Sequence, residues 1–155
     1  MEDGGLACGG HGSILPLTCD RISCMSPQFD AIGVVVSDMT SAVAFYRLLG
    51  LSFPEGAEAE GHVEAELPGG TRLMFDTEDV VRSFDPTFRP PSSAGRIGLA
   101  FVCESPAEVD RVFDAVCEAG YQAERAPFDA FWGQRYATVL DPDGNGIDLF
   151  APLEG

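Results

Sequence analysis

Between residues 29 and 153 the chain presents the same order of local patterns twice, and a duplicated unit constrains the fold more than any single motif does. Each copy opens on an apolar strand, Asp30-Ala31-Ile32-Gly33-Val34-Val35-Val36 in the first and Arg96-Ile97-Gly98-Leu99-Ala100-Phe101-Val102-Cys103 in the second. A helix follows each strand. One runs from Asp38 or Thr40 to Gly50 and the other from Ser105-Pro106 to Gly120, with a polar cap at the start and a glycine just past the end. Both copies then enter hairpin-rich chain through the turns Leu67-Pro68-Gly69-Gly70-Thr71 and Leu140-Asp141-Pro142-Asp143-Gly144-Asn145, whose glycines supply the positive φ of a tight reversal. The pattern predicts an α+β fold of two tandem βαβββ modules, residues 29–76 and 96–153, joined in a curled eight-stranded sheet. Two main helices pack on its outer faces.

A chain of 155 residues is one ordinary domain, so neither copy is large enough to stand alone and the two are expected to share a continuous sheet. Apolar residues make up 45% of the sequence, eleven of them Phe, which is enough for a core. No apolar run approaches the roughly 20 residues of a membrane span, so the expected protein is soluble and makes no membrane contact. Nine basic against twenty-five acidic side chains give a formal charge of −16. Such a surface repels a phosphate backbone, which argues against nucleic acid and leaves cationic small molecules tolerated.

Residues 1–27 are rich in Gly, Ser and Cys and lack a helical or strand period, so they read as a disordered extension ahead of a domain at 28–155. Glu2 and Asp3 stand where a secretory signal carries positive charge, and Ile14-Leu15-Pro16-Leu17 is short for its apolar stretch. A cytoplasmic protein is expected, with Met25 a possible start. Cys8, His11, Cys19 and Cys24 have spacings near those of zinc ligands, but Gly and Ser flanks favour disorder over a metal knuckle. Cys103 and Cys117 fit small buried hydrophobes in a reducing compartment.

The second copy closes on Trp132-Gly133-Gln134-Arg135-Tyr136 and Asp141-Pro142-Asp143-Gly144-Asn145, and the first contains Val36-Ser37-Asp38-Met39, Ala44-Phe45-Tyr46 and Leu48-Leu49-Gly50-Leu51. In this order, from about Phe29 to Leu153, the chain resembles the vicinal oxygen chelate superfamily of glyoxalase I, extradiol dioxygenases and bleomycin-resistance proteins. The closing stretch looks most like the resistance-protein branch. The resemblance implies four strands from each half around a cleft, often completed by a second chain, and a divalent metal held at four repeated positions. Here those positions are Ala31, seven residues before Asp38, its counterpart Gly98, and Met74 and Asp148 on the last strand of each half. Only Asp148 can bind a hard cation, so no metal and no other cofactor is expected. His62, the one His in the domain, and Asp76 and Glu66 have no matching ligand in the other half.

Other chemistries find little support. Neither Cys103 nor Cys117 has an electropositive neighbour in sequence that would activate it beside His62. The Asp141–Asn145 run lacks the bidentate Glu of a calcium loop and reads as a hairpin turn. Arg135 is expected to pair with Asp148 or Asp141 and orient the last strands. Phe128, Phe131 and Trp132 crowd a loop, and Phe84 and Phe88 lie in a Pro-rich connection; rings in loops suit the wall of a ligand cleft, with a structural plug as the alternative for Phe131 and Trp132. By contrast Phe45, Tyr46 and Leu49, and Val109, Val112, Phe113 and Val116, keep helical spacing and belong to the core.

Two functions follow. One is a metal-independent protein, expected to be a homodimer, that sequesters a small aromatic or cationic molecule, an antibiotic among the possibilities, against Trp132, Phe131, Asp148, Met74, Ala31, Gly98, Arg135, Phe88 and His62. The other is a glyoxalase-like lyase or isomerase, or a ring-cleaving dioxygenase. The three missing ligands disfavour its metal-dependent form.

Overall fold

The computed structural model describes residues 28–92 and 95–153. The expected disorder of residues 1–27, the candidate zinc ligands there and the start at Met25 lie outside the described residues. The first half forms β1 (Ala31–Val36), α1 (Met39–Leu48), a 3-10 turn (Ala57–Ala59), β2 (His62–Glu66) and β3 (Arg72–Thr77). A helix, α2 (Glu78–Phe84), leads out of it. The second half forms β4 (Leu99–Val102), α3 (Pro106–Glu118), β5 (Ala123–Ala130), β6 (Gln134–Leu140) and β7 (Gly146–Pro152).

The halves share a topology. In each, the first strand pairs parallel with the last (β1 with β3, β4 with β7) and the last pairs antiparallel with the one before it. The strand orders are β1-β3-β2 and β4-β7-β6-β5, so the second sheet carries one strand more. Two mixed sheets of three and four strands therefore replace the expected continuous sheet of eight. The missing strand is the one after α1. Pro54 fixes its own φ and Gly56 turns at φ +80°, and the chain there closes a 3-10 turn instead of extending. A third helix is the second departure. Thr77 Oγ1 accepts from the Val80 N–H, Glu78 and Asp79 occupy the first turn and Arg82 the last, so capping and dipole terms make a helix of what reads as a Pro-rich linker.

The two long helices start where their caps sit. The Asp38 carboxylate accepts from the Ser41 N–H at 2.8 Å, and the Ser105 hydroxyl accepts from the Glu108 N–H at 3.2 Å. Alternation along the strands gives each sheet one face for these helices: Leu73, Phe75, Val63 and Ala65 in the first sheet, Ile147, Leu149, Ala137 and Val139 in the second, all buried. Phe45 and Tyr46 of α1 and Val109 and Val116 of α3 fill the space between, with Leu49, Val112 and Phe113 packed at its margin. Phe45 meets the ring of Tyr121 edge-on at 5.0 Å, which carries the core from one half into the other.

The Asp141–Asn145 turn works as a clasp. Buried Asp141 accepts from the Asp143 N–H (3.0 Å), the Asn145 N–H (2.8 Å), Asn145 Nδ2 (2.8 Å) and the Tyr46 hydroxyl of α1 (2.9 Å). Asp143 in turn accepts from the Ser37 N–H at 3.1 Å. The hairpin of the second half is thus bonded to the strand-helix corner of the first. Burial, and next the Asp141 carboxylate, push the Tyr46 phenol well above its ordinary range, which keeps it a donor.

Candidate functional site

Because successive strand residues point to opposite faces, the residues between the core positions of β7 and β6 line the face of the four-stranded sheet turned away from the helices. Cross-strand register then assembles them in rows. Ala100, Asp148, Thr138 and Arg125 lie opposite one another in one row, and Val102, Phe150, Tyr136 and Phe128 in the next. Asp148 stands near the middle. Thr138 Oγ1 donates to its Oδ1 at 2.8 Å. Burial first and the Asp148 carboxylate second push the neighbouring Tyr136 phenol up to about 12, so at neutral pH it is a hydrogen-bond donor and no base.

Aromatic rings wall this face. Trp132 meets Tyr136 at 5.5 Å, Phe128 at 6.1 Å and Phe131 at 5.0 Å, each nearly perpendicular. Its indole Nε1 donates to Gln134 Oε1 at 2.8 Å, which sets the ring's direction. Gly133, at φ +88°, makes the tight corner that returns the chain into β6. Phe131 is 98% exposed and Trp132 48%, so in the isolated chain neither seals an interior. Phe128 belongs to β5 and not to a loop, and the Arg125 guanidinium lies over its ring at 5.6 Å.

The residues singled out from sequence fall in several places. Ala31 and Met74 lie on the corresponding face of the three-stranded sheet, across neighbouring strands. His62 shares that face and is tied up there: Nδ1 is 2.7 Å from Asp76 and Nε2 3.4 Å from Glu64, and the Asp76 contact raises its pKa above the ordinary value. Glu64 also pairs with Arg72 at 2.6 Å, and Arg72 with Asp30. Gly98 precedes β4 and, with Leu99, Leu49, Leu51, Leu73 and Phe101, lines an apolar groove of about 570 Å³. Phe88 and Tyr46 border a crevice of about 260 Å³ beside Val34 and Ile97. Cys103 and Cys117 are free and half-buried, and burial ahead of nearby Glu108 raises the Cys103 thiol.

Arg135 departs from its expected partners. It follows Gln134 on β6 and so points to the helix side, where Nε meets Asp110 of α3 at 2.9 Å and Nη1 meets Asp129 at 3.0 Å. Neither Asp148 nor Asp141 takes part. Sequence reading also missed Tyr136, Thr138, Phe150 and Arg125. The alternation Gln134, Tyr136, Thr138 and Asp148, Phe150 would have given the first three once Asp148 was placed on the open face.

The donor set does not fit the divalent metal that the resemblance implies. Two of the four positions offer no donor atom, Met74 a weak thioether, and the Asp148 carboxylate already accepts from Thr138. Among the described residues no group of three or more His, Cys, Asp or Glu side chains is placed to hold a metal ion. Also among them, no helix is long and apolar enough to cross a membrane.

Comparison with solved structures finds the same fold. A glyoxalase/bleomycin resistance protein/dioxygenase family enzyme from Burkholderia phytofirmans PsJN is 19% identical, with 82% of this chain and all 100% of that one covered at a TM-score of 0.70. A glyoxalase-related enzyme from Fulvimarina pelagi is 20% identical over 80% of this chain and 87% of its own, at 0.68. A glyoxalase/bleomycin resistance protein/dioxygenase from Nocardioides is 24% identical over 86% and 89%, at 0.64. No curated protein matches significantly. At the level of sequence, residues 28–149 match one family along most of the domain, and the chain belongs to the glyoxalase/bleomycin resistance protein/dioxygenase superfamily.

Proposed function

We propose that this chain is a metal-independent binding protein that sequesters a small planar molecule, an aromatic antibiotic among the possible ligands, on the open face of the four-stranded sheet. The observation that carries this reading is the wall of Trp132, Phe128 and Tyr136 beside Asp148, the one carboxylate among the four positions where the resemblance implies metal ligands. Rings at one end offer flat apolar area at low entropic cost, and a few fixed polar groups orient what lies between them. No bond need be broken.

The same face supports a homodimer in which a second copy closes the site. Val102 is 70% exposed on its β4 edge, with Phe131 and Trp132 exposed at the β5–β6 corner, and a monomer gains nothing by leaving such side chains in water. Light scattering is expected to give twice the 16.5 kDa chain mass. A particle of one chain at micromolar concentration contradicts the dimer.

Trp132 is the only tryptophan and reports directly. Titration with planar aromatic compounds in the presence of a chelator is expected to change its fluorescence saturably, and Trp132→Ala, followed by calorimetry, to weaken binding by about 1 kcal/mol or more. One equivalent of Fe, Mn, Ni or Zn held by the domain after metal supplementation, with binding lost in chelator, overturns the metal-independent reading in favour of an enzyme.

A further inference from the structure

Arg125 gives this face a preference that Asp148 does not. The nine basic side chains of the chain are all arginine, set against twenty-five carboxylates. Among the described residues, Arg47, Arg72, Arg82, Arg111 and Arg135 each have one within 4.0 Å. Arg125 has none. Its guanidinium lies instead over the Phe128 ring at 5.6 Å, opposite Thr138 in the row that contains Asp148.

That location joins three conditions for reading an anion. Stacking on Phe128 holds the planar fork in one orientation, so less freedom is lost when two parallel N–H bonds form to a carboxylate. Asp148 shares the row through Thr138, yet among the described residues it forms no ion pair with Arg125, which leaves the fork open to a ligand. Phe128 also touches Trp132 and Tyr136, so a ring resting against that wall brings a substituent on its edge towards Arg125. The charge of −16 repels anions at a distance, but that repulsion is screened over about 10 Å at ordinary salt while the contact is not. Selection is then made at the contact.

Resting on the proposed binding function, we infer that the ligand is an aromatic carboxylate, its ring on the Trp132–Phe128–Tyr136 wall and its carboxylate on Arg125. The test uses three probes with one ring system: 2-naphthoate, 2-naphthamide and 2-naphthylmethylamine, titrated against Trp132 fluorescence in the full-length wild type, Arg125→Gln and Arg125→Lys. Naphthoate is expected to bind at least about tenfold more tightly than naphthamide to the wild type, as a charge-assisted pair requires. Arg125→Gln is expected to erase that difference by weakening naphthoate binding far more than naphthamide binding, while Arg125→Lys keeps part of it. Far-UV circular dichroism and melting temperature check that the variants fold, as substitution of an exposed side chain allows. Equal binding of all three probes, or preference for the amine, overturns the role of Arg125 and leaves the binding reading intact; failure of every probe to bind overturns both. A variant that loses naphthamide and naphthoate binding equally shows packing on Phe128 only, and one that falls apart into single chains shows that Arg125 pairs with a second copy. Either result overturns the proposal.

Discussion

At the scale of single residues, Tyr136 carries a property that its position alone creates. Burial and the Asp148 carboxylate raise its phenol to about 12, against an ordinary value near 10. A raised folded-state pKa contributes stability that is fully present below the unfolded value and is lost as pH rises through the folded one. Stability is therefore expected to hold to about pH 10 and fall between there and pH 12, with phenolate absorbance rising late in the same window. Asp148→Asn removes the charge, and the ultraviolet titration should then show this phenol ionising earlier, while Tyr136→Phe removes its share of the fall and leaves that of buried Tyr46. An unchanged titration in Asp148→Asn contradicts the contact. Asp148 was legible from sequence because a motif precedes it at fixed spacing. Tyr136 was not, since its neighbours come from two other strands and a register that only pairing fixes.

At the scale of elements, the clasp between the Asp141–Asn145 turn and α1 concentrates the bonding that joins the halves. Asp141→Ala strands the Tyr46 hydroxyl and two backbone N–H groups in a buried site, a loss of about 3 kcal/mol in urea unfolding. Tyr46→Phe removes one bond to the carboxylate and costs about 1.5 kcal/mol. Asp143→Ala, whose bond to Ser37 is exposed, costs about 0.5 kcal/mol or less. Equal effects at all three positions contradict the clasp. Helices α1 and α3, the strands that open each half and both hairpin turns were readable in the chain, because caps, apolar period and turn glycines agree there. The strand after α1 and the linker after β3 were not. Duplication implied a strand after α1 that Pro54 and Gly56 prevent, and Pro86, Pro90 and Pro91 hid the capped turn at Thr77 that begins α2.

At the scale of the whole molecule, two similar halves carry different open faces. The open face of the three-stranded sheet is laced with charge through His62, Asp76, Glu64 and Arg72, whereas that of the four-stranded sheet is aromatic around Asp148. Repetition in sequence reveals the shared scaffold and hides this asymmetry, because it lies in the strand positions facing away from the core. The central claim is that the aromatic face binds ligand without metal. Heteronuclear NMR of the protein in a chelator, with 2-naphthoate added, tests it most directly through the single Trp132 indole N–H and the amides of Tyr136, Thr138 and Asp148. The account predicts saturable shifts concentrated on these signals. Shifts confined to Ile32, Leu51 and Leu99 in the groove beside Gly98, or shifts that develop only once a divalent metal replaces the chelator, would contradict it.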